Sequence, residues 1–181
     1  MQTEHRIRVI SQLPWKPAGL CLDPFASEMK WWVGVRSLFE DYKVVYSDIN
    51  PSSDEVVQAD AANLPFPDVS FDQIWADPPH LIRNDVKHWT KGYARFGNYK
   101  NRKELETLWP IWAKEFHRVC KETLVLKTVD GGDHRVIKRA DLKMFEPYWT
   151  KIDEVQSKTS PGWSKTITLY TKWKRNSHDH P

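Results

Sequence analysis

Short apolar runs alternate with amphipathic stretches along this chain, and the pattern predicts strands and helices in turn. Apolar runs bounded by turn residues are typical of buried strands. The predicted strands are Gly19–Leu22, Lys43–Ser47, Val56–Ala59, Phe71–Ala76, Thr123–Thr128, Trp149–Val155 and Thr166–Lys172. We expect the last two to form a hairpin around Ser160–Gly162.

Helical spacing occupies intervals between these strands. Ser27 is a predicted N-cap for a helix from about Glu28 to Tyr42. A second helix is predicted from Arg102 to Val119, and a short third one from Val136 to Phe145. In the second helix the apolar residues expected on one side are Leu105, Leu108, Ile111, Trp112, Phe116 and Val119, and Pro110 lies within it.

Strands that alternate with helices favour a parallel sheet, and the closing hairpin adds an antiparallel strand. The predicted fold class is therefore α/β with a mostly parallel sheet. A chain of 181 residues is long enough for one domain with a substantial core. We expect a single domain over 1–181, with its core at about 19–173, a long loop at 81–103 and a flexible tail at 174–181, disordered from His178.

Composition narrows the class of protein. The chain is 40% apolar and 28% charged, and no apolar run approaches the length that spans a bilayer. The segment Met1–Arg8 lacks the apolar stretch of a signal peptide. Cys21 and Cys120 stand alone within apolar runs, which indicates buried thiols in a reducing compartment. We therefore expect a cytoplasmic protein with no membrane partner and no bound metal.

Four predicted strands are followed by an acid: Asp23, Asp48, Asp60 and Asp77. One acid at a strand end is usually a turn residue. Four in series are notable because the carboxyl ends of parallel strands meet at one edge of the sheet, where ligands bind in α/β folds. The pattern predicts a ligand site at that edge.

Asp77 begins the sequence Asp77-Pro78-Pro79-His80, in which neither proline can continue a strand ladder. The chain must turn there and present a carboxylate, carbonyl groups and an aromatic ring. Asp77 and the Pro78 carbonyl can accept hydrogen bonds from an exocyclic amine, while His80 stacks on a base. We predict Asp77, Pro78, Pro79 and His80 as catalytic residues; the alternative for His80 is that it only caps a neighbouring loop.

The tetrapeptide resembles the (Asp/Asn/Ser)-Pro-Pro-(aromatic) motif of the amino-methyltransferases, which methylate adenine N6 or cytosine N4 with S-adenosylmethionine. The resemblance covers about Leu20 to Trp173. It implies a Rossmann-like methyltransferase fold with seven strands, an antiparallel final strand beside the fifth, and helices on both faces. It also implies S-adenosylmethionine as cofactor and a base in DNA or RNA as acceptor, adenine N6 more than cytosine N4. That base must be single-stranded or flipped to reach the pocket.

The same resemblance assigns cofactor residues. Asp23-Pro24-Phe25-Ala26, followed by Ser27, matches the start of the family's first motif, which holds the methionine portion. Asp48, with Ile49 beside it, takes the ribose role, and Asp60, with Ala61, takes the adenine role. Leu64 or Phe66 would pack on the adenine face. The family normally continues the first motif with glycines, whereas the next glycine here is Gly34.

Basic and aromatic residues are interleaved in the loop at 81–103, which follows the motif. Basic residues neutralise phosphates and exposed rings stack on bases. We therefore predict nucleic-acid binding by Lys87, Lys91, Tyr93, Arg95, Lys100 and Arg102. The alternative is a solvated loop whose rings, Trp89 and Phe96 especially, pack on the core. Gly131–Arg135 is expected on the same rim, where it could close over the substrate.

Two other functions stay open. The missing glycines favour a catalytically silent subunit that binds nucleic acid or supports an active partner, whereas the intact motif at Asp77 favours an enzyme. Methylation of a protein glutamine is disfavoured because the family pattern for that reaction begins with Asn. The chain has no room for a separate recognition domain, so we expect relaxed specificity, a structured RNA substrate or a recognition subunit.

Overall fold

The computed structural model describes residues 13–26, 32, 41–82, 99–131, 137–158 and 166–177. Its strands are β1 (Gly19–Asp23), β2 (Tyr42–Asp48), β3 (Val56–Gln58), β4 (Phe71–Ala76), β5 (Cys120–Gly131), β6 (Trp149–Lys158) and β7 (Thr166–Arg175). Helix α1 (Arg102–Val119) precedes β5, and a 3₁₀ helix (Arg139–Phe145) lies between β5 and β6. Within these residues, no helix has the length and apolar character needed to cross a membrane.

The strands form one seven-stranded sheet in the order β3-β2-β1-β4-β5-β7-β6. Strands β1 to β5 pair in parallel, and β7 is antiparallel to both β5 and β6. The predicted α/β fold class, with its antiparallel last strand beside the fifth, is confirmed. The chain extends the sheet from β1 to β3 in one direction and from β4 onward in the other. The β1–β4 junction is therefore the topological switch point where such sheets bind ligands.

Alternate residues of each strand point into two separate core layers. On one face, α1 packs over Leu22, Ile74 and Leu126 through buried side chains that include Trp109 and Phe116. The other face carries Trp15, Trp32, Trp75, Val125 and Tyr170 among its core residues. Both Cys21 and Cys120 are buried and free, as predicted, and burial raises the pKa of Cys21 to about 12.

Several predicted boundaries were wrong. β5 is longer at both ends than the predicted Thr123–Thr128. At its start Cys120 pairs with Phe71 of β4, and at its end β7 continues to pair with it as far as Gly131. β7 itself ends at Arg175, so residues 174 and 175 belong to the sheet and not to a tail. Tyr42 begins β2 instead of ending a helix. The core also starts before residue 19, since Leu13 and Trp15 are buried.

The predicted helix over 102–119 has the bounds observed for α1. Asn101 explains its start, because the Asn101 side chain accepts a 2.9 Å hydrogen bond from the backbone N–H of Glu104. The prediction for Ile111 was wrong: this residue is 42% exposed, and Trp109 takes a place in the core instead. The predicted helix up to Phe145 is a 3₁₀ helix from Arg139.

Some predicted features lie outside the described residues. They are the helix from Glu28 (residue 32 apart), the loop residues 83–98, the segment 132–135, the hairpin turn at 160–162 and the tail from 178.

An ion pair marks the amino-terminal edge of the sheet, opposite the carboxyl ends of the parallel strands. Lys121 of β5 lies 2.8 Å from a carboxylate oxygen of Asp72 on β4. The other Asp72 oxygen accepts a 2.8 Å hydrogen bond from the N–H of Leu20. Gly19 adopts a φ of 64° here, and a Cβ at this position would come within 2.4 Å of Asp72. The edge is therefore held by polar contacts that are independent of the candidate site.

Candidate functional site

The four predicted acids lie at the carboxyl edge of the parallel strands. Asp23 ends β1 and Asp48 ends β2, while Asp77 directly follows β4. Asp60 lies just beyond β3 and forms an isolated bridge with Asn63. The strand-end pattern therefore brings these side chains to one edge, with Asp23 and Asp77 at the switch point.

Asp23 is the most deeply buried of these acids, with 1% of its surface exposed. One carboxylate oxygen accepts a 3.0 Å hydrogen bond from the N–H of Phe25, and the other accepts a 2.8 Å hydrogen bond from the indole N–H of Trp32. Burial raises the pKa of Asp23 to about 7, because these neutral donors only partly replace water, and the nearby charges of Asp77 and Asp48 add to the rise.

The segment after β1 is fixed to its surroundings without the glycines of the family motif. The N–H of Ala26 donates to the carbonyl of Ser47 at the end of β2, at 3.0 Å. The Phe25 ring packs edge-on against Trp112 of α1, with 4.9 Å between ring centroids. The predicted residues Pro24, Phe25 and Ala26 therefore join β1 to β2 and α1, whereas Ser27 lies outside the described residues.

Asp48 turns the chain out of β2. Its side chain accepts a 2.9 Å hydrogen bond from the N–H of Asn50, and its carbonyl accepts one of 3.0 Å from the N–H of Ala59. The next residue, Ile49, is 58% exposed. An acceptor and an exposed apolar surface thus lie side by side at this edge.

Asp60 is exposed and forms a turn of its own. Its carboxylate accepts a 2.8 Å hydrogen bond from the N–H of Ala62, and its carbonyl accepts one of 2.9 Å from the N–H of Asn63. Leu64 is buried in the core, and the Phe66 ring packs edge-on against Phe71 at 5.0 Å. Leu64 and Phe66 therefore pack against other apolar residues of the protein, whereas Ile49 is exposed.

Asp77 lies between the imidazole of His80 and the ammonium of Lys127, and 20% of its side chain is exposed. The Nε2 of His80 is 2.9 Å from one carboxylate oxygen, and the ammonium of Lys127 contacts the other. Burial by itself raises the pKa of Asp77, but the Lys127 charge and the contacts with His80 outweigh that effect and hold the pKa well below its ordinary value. Asp77 is thus a carboxylate paired with Lys127 and His80 at the switch point.

The backbone around His80 is held from both sides. Its carbonyl accepts a 3.3 Å hydrogen bond from the N–H of Ile137, and the carbonyl of Leu81 accepts one of 2.9 Å from the N–H of Tyr99. Tyr99 is itself buried, and its hydroxyl accepts a 2.7 Å hydrogen bond from the indole N–H of Trp109. The contact between His80 and Asp77 is within the motif, so the ring is placed beside the carboxylate.

Sequence reasoning missed Lys127. The available signal was that Lys127 directly follows the apolar run Leu124-Val125-Leu126 within a predicted buried strand, where a charged side chain is unexpected. The register of β4 against β5 pairs Ala76 with Leu126. Asp77 follows Ala76 and Lys127 follows Leu126, so the two side chains meet. The ion pair therefore depends on the register of β4 on β5, which the sequence does not specify.

Two of the six predicted nucleic-acid-binding residues, Lys100 and Arg102, are described. Lys100 is exposed, and its backbone N–H donates to Glu104. Arg102 instead forms ion pairs with buried Asp141 and, at 3.2 Å, with Glu106. Lys87, Lys91, Tyr93 and Arg95 lie outside the described residues. Arg102 therefore has acidic partners of its own within the protein.

No protein-family model matches the chain, and neither does any curated protein sequence. Several solved structures have a fold similar to that of this chain. The [4+2]-cyclase SpnF matches with a TM-score of 0.60 and 12% identity, over 97% of this chain and 81% of that chain. Burkholderia thailandensis 1,6-didemethyltoxoflavin-N1-methyltransferase, solved with S-adenosylhomocysteine, matches with a TM-score of 0.57 and 9% identity, over 97% and 78% of the two chains.

A TehB-like S-adenosylmethionine-dependent methyltransferase from Corynebacterium glutamicum matches with a TM-score of 0.55 and 12% identity, over 94% of this chain and 87% of that chain. The protein therefore has the Rossmann-like fold of S-adenosylmethionine-dependent methyltransferases, as the resemblance implied. Because one structure with this fold is a cyclase, the fold alone does not define the reaction.

Proposed function

We propose that this protein is an S-adenosylmethionine-dependent methyltransferase that methylates the exocyclic amine of a nucleobase in DNA or RNA, adenine N6 in preference to cytosine N4. The observation that carries the proposal is the carboxylate of Asp77, in contact with His80 and Lys127 at the switch point of a methyltransferase fold. It stands at the start of Asp77-Pro78-Pro79-His80, where an acceptor for an amine is needed.

The residues at the neighbouring strand ends fit the proposed cofactor. Asp48 would accept hydrogen bonds from ribose hydroxyls, exposed Ile49 would cover one face of adenine, and Asp60 would accept from the adenine amino group. Asp23, Asp48 and Asp77 place three carboxyl groups at the edge where the cofactor would bind. When bound, the cofactor supplies an electrophilic methyl group.

Asp77 would act on the acceptor amine through charge and hydrogen bonding. The lone pair of an aryl amine is delocalised into its ring, which makes the amine a poor nucleophile. A hydrogen bond from the amine to Asp77 favours a pyramidal nitrogen, and the carboxylate stabilises the positive charge that grows there. The lowered pKa makes Asp77 a weak proton acceptor, so the proton released after transfer passes to water.

His80 would complete the pocket by stacking on the base. Its hydrogen bond to Asp77 restricts the ring to the neighbourhood of the carboxylate. Stacking needs a π-face and tolerates different bases, and it contributes about 1–3 kcal/mol per base. We therefore expect His80→Phe to retain transfer and His80→Ala to weaken oligonucleotide binding.

A silent subunit is the second candidate, and two observations favour it. Both oxygens of Asp77 already have protein partners, and the segment after β1 lacks glycines that let a cofactor approach closely. A protein of this kind would bind nucleic acid or a partner without transferring a methyl group.

Transfer of a tritiated methyl group to adenine- and cytosine-containing DNA and RNA oligonucleotides tests the proposal, with mass spectrometry of the digested nucleosides to identify the methylated atom. Asp77→Ala should abolish transfer and leave cofactor affinity nearly unchanged. Asp77→Asn should retain part of it, because the amide oxygen still accepts a hydrogen bond. Asp54→Ala, on an exposed loop, is the matched control. Wild-type protein that binds no cofactor would favour the silent subunit.

A further inference from the structure

Lys127 forms an ion pair with Asp77 that the proposed chemistry does not by itself require. We propose that Lys127 is a positioning residue of the methyl-transfer site, whose ammonium keeps Asp77 ionised and fixes its orientation while leaving lone pairs for the acceptor amine. The inference rests on the proposed function, because Asp77 is the group that would bind that amine.

The strand pairing places Lys127 where β4 has ended. β4 and β5 pair up to Ala76 and Leu126, after which the Asp-Pro-Pro sequence stops the ladder. β5 continues to Gly131 because β7 pairs with it on the other side, with Tyr170 opposite Lys127. The backbone of Lys127 is thus held by β7 at a point where its side chain can reach the end of β4.

Burial makes this lysine different from a surface lysine. Only 12% of its side chain is exposed, and lysine is rarely buried to that degree without a partner. A second ion pair joins the same two strands at their other end, where the side chains of Lys121 and Asp72 are 44% and 35% exposed. A solvated pair of that kind contributes little to stability. The two pairs share residue types and strands, and they differ in burial and in the edge they occupy.

Asp23 is a carboxyl group at the same edge for which the described residues provide no cation in contact. Its contacts are neutral donors, and burial raises its pKa to about 7. Asp77 has the opposite shift, because Lys127 and His80 contact it. Among the described residues, the groups acting on Asp77 are Lys127 from β5, His80 from its own segment and Asp23 from β1. Lys127 and His80 together account for the difference between the two carboxyl groups, and the charge of Lys127 is the larger of the lowering effects.

The pair still leaves room for a substrate. An ionised carboxylate offers about four lone-pair positions. Lys127 and His80 contact different oxygens of Asp77 and use one position each, so the described residues leave about two. The side chain of Asp77 also stays 20% exposed. An amine can therefore bind the carboxylate without displacing Lys127.

Four proteins test the inference: wild type, Lys127→Met, Lys127→Arg and the matched control Lys121→Met. The first measurement is the titration of the Asp77 carboxyl carbon by NMR in protein labelled with ¹³C-aspartate, assigned with Asp77→Asn. The second is the pH dependence of kcat and KM for oligonucleotide methylation. Lys127→Gln carries both measurements if Lys127→Met does not fold.

We expect Lys127→Met to raise the Asp77 midpoint by at least about one pH unit, since burial is then less opposed. The acid limb of kcat should move with it, which lowers kcat about tenfold or more on that limb and changes KM less. Lys127→Arg should stay close to wild type, and Lys121→Met should match it.

The outcomes separate the inference from the function on which it rests. An Asp77 titration that is unchanged in Lys127→Met, in a protein whose wild type transfers methyl groups, overturns the role of Lys127 alone. A titration that moves while wild type methylates no oligonucleotide overturns the proposed function and, with it, the role in transfer. An equal shift in Lys121→Met also overturns the inference, because the effect would then come from net charge.

Discussion

The indole N–H of Trp32 donates a 2.8 Å hydrogen bond to the buried carboxyl group of Asp23. The contact ties residue 32 to the end of β1, and the N–H of Phe25 binds the other oxygen at 3.0 Å. Both donors are neutral, so the described residues supply hydrogen bonds to this carboxyl group but no compensating charge. Burial accordingly raises the pKa of Asp23 to about 7.

This pKa predicts how the free energy of unfolding of the Asp23→Asn variant compares with that of wild type. A carboxyl group whose pKa is raised in the folded state stabilises the fold below its unfolded pKa, near 3.9, and loses that contribution as pH rises through about 7. The wild type should therefore lose stability relative to Asp23→Asn between pH 4 and pH 8. The difference should approach about 4 kcal/mol, since one pKa unit corresponds to about 1.4 kcal/mol.

Urea unfolding of both proteins at several pH values measures this difference. Asp54→Asn, which changes an exposed acid, controls for the effect of net charge. A constant difference between wild type and Asp23→Asn across the range would mean that Asp23 titrates normally. The assignment of a buried, uncompensated carboxyl group would then be wrong.

Local signals in the sequence were sufficient for part of the fold. The bounds of β4 and α1 were predicted correctly, because residues adjacent in the sequence determine where each element begins or ends. The prolines after Ala76 end the strand, and Asn101 caps the helix. The acids at strand ends were also found, since a parallel sheet brings its carboxyl ends together.

Features that depend on pairing between distant residues were missed. The end of β5 at Gly131 is set by β7, and the contact between Lys127 and Asp77 is set by the register of β4 on β5. The burial of Trp109 in place of Ile111 reflects which side of α1 meets the sheet. A helical repeat leaves that choice open when apolar residues occupy more than one side.

The cofactor assignment predicts an effect at Asp48. Asp48→Ala should weaken S-adenosylmethionine binding by about 1.5–3 kcal/mol, the range for hydrogen bonds to a charged group. Asp48→Asn should lose less, because its amide oxygen can still accept the 2.9 Å hydrogen bond from Asn50 and one from the ribose. Calorimetry of each variant measures the change.

S-adenosylhomocysteine provides an internal control for this assignment. It has the same ribose and no sulfonium charge, so Asp48→Ala should weaken both ligands by a similar factor. A loss confined to S-adenosylmethionine would indicate a charge effect on the sulfonium. Unchanged affinity for both would remove Asp48 from the cofactor site.

Arg118 of α1 holds the segment after Asp60 through hydrogen bonds and ion pairs. Its guanidinium donates to the carbonyls of Leu64 and Phe66 at 3.0 and 2.9 Å, and it contacts the carboxylates of Asp68 and Glu115 at 2.7 and 2.6 Å. Lysine cannot reproduce this planar arrangement of donors. Arg118→Lys should therefore lower the free energy of unfolding by about 1.5–3 kcal/mol.

Urea unfolding tests this prediction, with Lys114→Ala on the exposed side of the same helix as the control. Hydrogen exchange adds a local measurement, because the N–H of Leu64 donates to Glu115 at 2.8 Å and should exchange faster once Arg118 no longer holds Glu115. If Arg118→Lys unfolds at the same urea concentration as wild type, the guanidinium does not stabilise the segment.

Lys91, Arg95 and Lys100 are proposed to contact nucleic acid, whereas Arg102 forms ion pairs within the protein. Replacing Lys91, Arg95 and Lys100 by alanine should weaken oligonucleotide binding and flatten its dependence on salt, by about 0.7–0.9 in the log–log slope for each phosphate that the protein no longer neutralises. Arg102→Ala should leave that slope unchanged, because its guanidinium is paired with Asp141 and Glu106. It should instead lower the free energy of unfolding by about 1.5–3 kcal/mol, since buried Asp141 loses a charged partner. Binding titrations at several salt concentrations, with urea unfolding of the same proteins, distinguish the two roles. A wild-type slope in the triple variant would exclude the loop as the docking surface, and a reduced slope in Arg102→Ala would show that Arg102 binds phosphate despite its partners.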